Sequence, residues 1–365
     1  MLEILINISR ACPNVSKVYS IGSSTAGRSL WVIEFSDNPG VHEVGEPEFR
    51  YLANVHGNEV TGREMTLRFA KHLCYGYLMK ETRILNMIQS TRIHIMPSMN
   101  PDGFDIASRN ARRGRFNYNG IDLNRDFPDL TPTVQPYLSN SVKKQATCLK
   151  FGLIRNFFGN ILNLTAIYFH QAVLNWLHAI PFVMSYTFHD GAVGVVYPFD
   201  KRPKGRWYGS TPDDNLFRAL ASNYAQKHRH MSDKSKFGID HNCRYTNGDF
   251  HRLGGIVNGA AWYSITGALE DYSYIGTDCF GLAVELSCTK WVSTRRLRKE
   301  WLDNKDAMLS AVENVHIGIK GVVRYRLTGE PIKDAVVHVL GQEKDVSTSR
   351  DGDYWRPLQR GIYTV

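Results

Sequence analysis

Two segments far apart in this chain each end an apolar run in side chains able to bind a metal, and few folds can bring such ends together. The first, Tyr51-Leu-Ala-Asn-Val-His-Gly-Asn-Glu59, offers His56 and Glu59; the second, Val183-Met-Ser-Tyr-Thr-Phe-His189, offers His189. Two imidazoles and one carboxylate fill three corners of a zinc tetrahedron and leave the fourth for water. That is the layout of a hydrolytic rather than a structural site.

The local pattern places the first segment. Residues 50–55 read as a buried strand and residues 59–79 as a helix, with Val60, Met65, Leu67, Phe69, Leu73 and Tyr77 spread over a broad apolar face. His56 and Glu59 then sit at a strand-to-helix turn, for which Gly57 and Asn58 suit a left-handed backbone. Taken alone, His-x-x-Glu is common and usually a surface turn, and a histidine ending an apolar run is usually a satisfied core residue. A third block, Arg113-Gly-Arg-Phe-Asn-Tyr-Asn-Gly-Ile-Asp-Leu-Asn-Arg-Asp-Phe-Pro128, changes the balance. It gathers Arg115, Asp122, Asn124 and Arg125 on a loop. Beside a metal, a planar guanidinium with an Asn neighbour suits bidentate capture of a carboxylate, and a second Arg suits charge developing on a polarised carbonyl.

With these blocks the chain resembles the zinc metallocarboxypeptidases, specifically the regulatory N/E type that includes carboxypeptidases D, E, M and N. Further matching segments are Cys12-Pro-Asn-Val-Ser16, Ser36-Asp-Asn-Pro-Gly-Val-His-Glu43, Asn100-Pro-Asp-Gly103, Tyr197-Pro-Phe-Asp200, Asn258-Gly-Ala-Ala-Trp-Tyr263 and Val284-Glu-Leu-Ser-Cys288. The resemblance implies one Zn2+ held by His56, Glu59 and His189, with Asp122 orienting the first histidine. It makes Glu285 the general base and acid, and Arg115 the group that polarises the scissile carbonyl. Asn124, Arg125 and Tyr263 match the residues that hold the substrate's terminal carboxylate, and Asp200 matches the acid that selects a C-terminal Lys or Arg. The implied activity is removal of basic residues from the C-termini of peptides and proteins during peptide processing.

Two positions depart from the family pattern. Glu270 stands where Gln is usual, and a second carboxylate in the pocket is expected to strengthen the preference for a basic terminus. Asp190 follows His189 where Gly is usual, and is expected to narrow the cleft or alter the preceding subsite while leaving the ligand set intact. Two other readings stay open: a binding module that keeps the fold but has lost hydrolysis, and a carboxypeptidase for acidic tails. Asp200 argues against the latter, which needs a basic pocket residue.

The alternation of patterns implies an α/β fold with a mixed, mainly parallel sheet flanked by helices. Strands are expected near 31–36, 50–55, 92–98, 183–189, 194–199 and 282–287, and helices near 59–79, 171–178, 213–228 and 296–315. The resemblance adds an eight-stranded mixed sheet over a catalytic domain at 1–315. Beyond it, Ile317–Tyr325 and Ala335–Leu340 read as strands around a turn at Thr328-Gly-Glu330. This segment, 316–365, resembles a small all-β transthyretin-like sandwich and is expected to be incomplete. Residues 133–169 match nothing in the family and read as an insertion; their apolar run carries Arg155 and three asparagines, costly inside a bilayer.

The net charge of +9 does not point to nucleic acid, because the cations are scattered and no interleaved aromatics form a stacking platform. Anionic membrane surfaces or glycans suit the surplus better, which leaves membrane association open. Of six cysteines, Cys243, Cys279 and Cys288 lie where the N/E branch often has disulfides, with pairing unfixed by sequence. Sequons at Asn7, Asn14 and Asn163 allow a secretory route. Met1–Ser9 does not read as a signal peptide, so a secreted or secretory-pathway location rests on the resemblance.

Overall fold

The computed structural model describes residues 1–131, 164–236, 243 and 248–365, with backbone alone over 164–170. The atypical segment 133–169 and the Asn163 sequon therefore lie outside the described residues, apart from the backbone of the segment's last residues.

Nine helices and twelve strands are formed among the described residues. Helices α1 (Leu2–Ala11), α2 (Thr61–Leu78), α3 (Thr82–Ser90), α4 (Pro101–Arg109) and α5 (Leu164–Ala179) precede α6 (Asp214–Lys227), α7 (Gly259–Trp262), α8 (Leu269–Gly276) and α9 (Thr294–Glu313). Strands β1 (Ser16–Ser23), β2 (Ser29–Phe35), β3 (Glu48–Ala53), β4 (Arg92–Met96), β5 (Phe182–His189), β6 (Gly194–Tyr197), β7 (Ile256–Asn258) and β8 (Phe280–Glu285) form one eight-stranded sheet in the order β1-β2-β4-β3-β5-β8-β6-β7. Its centre, β4-β3-β5-β8, is parallel, while β1-β2, β2-β4 and β8-β6 are antiparallel. This is the mixed, mainly parallel α/β architecture the sequence pattern implies.

Helices cover both faces, as buried parallel strands require. Along α2, Met65, Phe69 and Leu73 repeat every fourth residue, with Thr66, Ala70 and Cys74 beside them, and all six are buried. The helix starts two residues later than the pattern suggested, because Glu59 and Val60 belong to the turn. Strand β3 starts two residues earlier, at Glu48. Its charged residues hid the boundary: Glu48 is fully buried against Arg92 (2.9 Å) and His94 (2.7 Å), and Arg50 donates to Ser185 and Ser273 at 3.1 Å. A buried charge is tolerated when it is paired or hydrogen-bonded.

Two disulfides cross-link the described residues, Cys12–Cys74 between α1's end and α2, and Cys243–Cys288; Cys279 is a buried free thiol. No helix among the described residues is long and apolar enough to cross a membrane.

The last fifty residues form two short two-stranded sheets. Strand β9 (Ile319–Val322) pairs with β12 (Asp353–Arg356), and β10 (Val336–Val337) pairs with β11 (Val346–Ser347). They dock on the large sheet's domain through charged groups withdrawn from water. Arg356 and Asp213 meet at 2.7 Å, both essentially inaccessible, and Tyr274 donates to the other oxygen of Asp213 at 2.8 Å. Removing one partner of such a pair leaves an uncompensated buried charge, at a cost of about 3–5 kcal/mol. Asp213→Ala is therefore expected to lower the melting temperature by several degrees, measured by thermal denaturation, while Arg360→Ala, at an exposed position, is expected to leave it unchanged.

Candidate active site

Strands β3, β5 and β8 run parallel and end level. Ala53 pairs with Phe188, and His189 pairs with Glu285, so that the last residues of β5 and β8 lie side by side. The chain leaving β3 turns sharply at Asn54, which adopts a left-handed backbone (φ 58°). Its side-chain amide then donates to the carbonyls of His56, Gly57 and Glu59 at 2.9, 3.0 and 2.9 Å, and Ser98 donates to its Oδ1 at 2.7 Å. Asn54, not Gly57, supplies the left-handed conformation. Gly57 is needed for a different reason: a Cβ there would lie 2.0 Å from the backbone carbonyl carbon of Gly103. Asn58 is buried, with its amide 3.5 Å from the Ala111 carbonyl.

This turn brings three donors together. One oxygen of Glu59 lies 2.9 Å from His56 Nδ1 and 3.0 Å from His189 Nδ1, and the ligand atoms of His56, Glu59 and His189 all fall within 4.8 Å of one another. All three residues are buried. The other ring nitrogen of His56 meets Asp122 at 3.1 Å, which turns Nδ1 toward the cluster. His56 Nδ1 and His189 Nε2 have no hydrogen-bond partner among the described residues. A buried orphan imidazole nitrogen facing a carboxylate, with the second nitrogen held by another carboxylate, is a donor set that zinc fits.

Charge balance supports that fit. Burial alone would raise the Glu59 carboxyl, yet His56, His189 and Lys290 hold it well below the usual range. Lys290 donates to Glu59 at 2.7 Å, and Arg115 reaches the same oxygen at 3.5 Å while binding Asp122 at 2.8 Å. Asp122, also resisting burial, is lowered by His56, Arg115 and Arg125. Glu285 goes the other way: burial raises it, Glu59 adds to the rise, and His189, Lys290 and His56 oppose it.

The remaining sequence-selected residues line the same cleft, of about 190 Å³: Asn124, Arg125, Asp200, Tyr263 and Glu270 face it together with Arg115 and Glu285. Asn124 Oδ1 accepts from the backbone of Leu269 at 3.0 Å and so fixes the start of α8, which carries Glu270. Arg125 donates to the Asn124 carbonyl at 2.7 Å. Tyr263 is nearly half exposed at the mouth. Asp200 is buried, and its backbone N–H donates to Asp271 at 2.9 Å. Its carboxylate fills the space over Gly259, where a Cβ would stand 1.7 Å from Oδ1. Glu270 is buried, and neither carboxylate oxygen has a hydrogen-bond partner among the described residues.

Asp190 lines the cleft next to His189. Its carboxylate turns to the N-terminus of α2, accepting from Thr61 N at 2.9 Å, an arrangement favoured by the helix dipole. Lys290, Asn54, Asp271 and Gly259 were not singled out from the sequence, and Lys290 in particular offered no spacing signal.

A family model described as "Zinc carboxypeptidase" matches residues 1–307. The chain belongs to the zinc carboxypeptidase family. That family is one of zinc-dependent peptidases. It is 40% identical to human carboxypeptidase Z over its whole length, covering 55% of that relative, so the chain spans about half the length of that protein. It is also 40% identical to the catalytic chain of human carboxypeptidase N, again over its whole length and covering 78% of that relative. Among solved structures, thrombin activatable fibrinolysis inhibitor shares the carboxypeptidase fold, with a TM-score of 0.61 at 17% identity over 85% of this chain and 72% of that one.

Because Asp122 orients His56, Asp122→Asn is expected to weaken zinc retention by about 10–100-fold. Competition with a fluorescent chelator measures this directly; unchanged retention would remove Asp122 from the support of the site.

Proposed function

We propose that this carboxypeptidase hydrolyses the last peptide bond of peptides and proteins that end in Lys or Arg. The observation that carries the reading is the pair of buried carboxylates, Asp200 and Glu270, in one cleft, the latter with both oxygens unpaired among the described residues. Such a pocket repels acidic side chains and strands charge beside apolar ones, so a cationic guest is the one it rewards.

The roles follow from position. Zinc bound by His56, Glu59 and His189 supplies Lewis acidity to the attacking water and to the scissile carbonyl. Glu285, at the adjoining strand end, takes the proton from that water and passes it to the leaving amine nitrogen. Arg115, held by Asp122, faces the carbonyl oxygen as charge develops there, a contact worth about 3–4 kcal/mol. Asn124, Arg125 and Tyr263 hold the free carboxylate of the substrate, which confines cleavage to the terminal bond.

Two disulfides favour an oxidising compartment, in keeping with secretion or the secretory pathway, and Asn7 and Asn14 are exposed. The boundary between a catalytic domain at 1–315 and a transthyretin-like β segment at 316–365 is part of the same proposal.

Hydrolysis of matched dipeptides ending in Arg, Phe and Glu tests the specificity. The Arg substrate is expected to be strongly preferred, and Asp200→Asn to lower its kcat/KM by roughly a hundredfold, as expected for losing one buried charge partner. Glu270→Gln is expected to weaken it less. A preference for Phe or Glu would refute the basic pocket.

Protonation adds a second test. Burial, then Asp271 and Glu270, raise Asp200 well above the aspartate range, and Asp271 is itself pushed up to about 7 by burial. Acids raised in this way are neutral at lower pH, so negative charge at and beside the pocket is lost as pH falls, at Asp271 through about 7. The KM for an Arg-terminated peptide is expected to rise over that interval while that for a Phe-terminated peptide stays nearly flat. Parallel profiles for the two substrates would contradict this.

A further inference from the structure

The loop joining β2 to β3 carries a second cluster of acids, away from the cleft. Carboxylate oxygens of Asp37, Glu43 and Glu46 lie within 4.8 Å of one another. Glu46 is 7% exposed, and both its oxygens are shut off from solvent with no hydrogen-bond partner among the described residues. Leaving a carboxylate buried without a partner is costly.

Among the described residues no cation pairs with Glu46, although Lys17 Nζ lies beside Gly40 of the same loop. Arg92, the guanidinium near this loop, is already committed: its Nε and Nη2 bind Glu34 at 2.9 and 3.0 Å, and its Nη1 binds Glu48 at 2.9 Å. His42 lies between Glu48 at 2.7 Å and Asp353 at 3.2 Å. Burial, with Asp37, Glu48 and Glu43 adding to it, pushes the Glu46 carboxyl up to about 8. Three acids thus come together, and one of them is buried with no hydrogen-bond partner among the described residues.

We propose that Asp37, Glu43 and Glu46 form a calcium site that fastens the β2–β3 loop, and through it the C-terminal strands, to the sheet. The ligands are all hard oxygens, which disfavours zinc. An all-oxygen set on a loop suits calcium, which takes six to eight oxygens at about 2.3–2.6 Å in flexible geometry, better than magnesium, which demands a near-ideal octahedron at about 2.0–2.1 Å and keeps its water. Backbone carbonyls and water complete the shell.

The loop's other side explains the fastening. His42 binds Asp353 of β12, Gly45 N donates to the same carboxylate at 2.9 Å, and Lys320 of β9 donates to the Gly45 carbonyl at 3.0 Å. A cation that fixes residues 37–46 therefore fixes the acceptor and donors on which β9 and β12 rest.

The test uses the zinc-loaded chain. Calorimetric titration with CaCl2 is expected to show one saturable site, and saturating Ca2+ to raise the melting temperature by several degrees, since a ligand bound only by the folded state stabilises it. Hydrogen exchange over 319–322 and 353–356 is expected to slow on saturation. Glu46→Gln keeps the side-chain shape, and Asp37→Asn changes an exposed position; both are expected to lose calcium binding and the thermal shift with zinc content and peptide hydrolysis unchanged. No saturable binding by the unmodified chain, or equal binding by both variants, would overturn the site. Binding without slower exchange in β9 and β12 would overturn the fastening.

Discussion

Everything in the cleft depends on the level ends of three parallel strands. Parallel pairing in register places Ala53, Phe188 and Val284 on neighbouring strands, and His189 and Glu285 across from each other one residue later. Ligands in open α/β sheets gather outside the carboxyl ends of such strands. Here the turn after β3 delivers His56 and Glu59 to that edge, and the following loops add Arg115, Asp122, Asn124 and Arg125. A slip of one residue between β3 and β5 would turn every side chain to the opposite face and dissolve the cluster.

The edge is held by charge as much as by packing. Glu59 is the hub: His56, His189 and Lys290 all contact its carboxylate, Arg115 approaches it, and the N–H of Asp190 donates to it at 3.3 Å. Asp122 forms a second layer behind His56 and Arg115. A third group of acids is Asp200 and Glu270, which line the same cleft, with Asp271 bonded to the backbone of Asp200. The two environments pull carboxyls in opposite directions, down at Glu59 and Asp122 and up at Asp200 and Asp271. That divergence separates the donor cluster from the acids of the proposed specificity pocket.

Much of this was legible in the sequence because the chemistry is written in short spacings. His-x-x-Glu, the Asp-Leu-Asn-Arg run and the two strand-ending residues His189 and Glu285 each combine a reactive side chain with an apolar context, and all reach one cleft. The α/β class and the long helices were legible from periodicity. Other features were not, because they arise where distant elements cross. Lys290 reaches Glu59, Asp271 pins Asp200, and Cys12 meets Cys74 only after folding. Edge strand β1 has no clean alternation, and the charged residues of β3 masked its start. Gly57 was noticed for conformational freedom, whereas its place is set by the close approach of α4. Asp190 lines the cleft, and its carboxylate also serves the N-terminus of α2, a contact no local spacing shows.

The central claim is that His56, Glu59 and His189 together hold one zinc ion. Zinc K-edge X-ray absorption on the purified chain tests it most directly, alongside metal stoichiometry. The account predicts one zinc per chain with a nitrogen and oxygen shell at about 2.0–2.2 Å, lost when Glu59 is replaced by Gln. A sulfur shell at about 2.3 Å, or stoichiometric zinc that survives that replacement with the same shell, would contradict it.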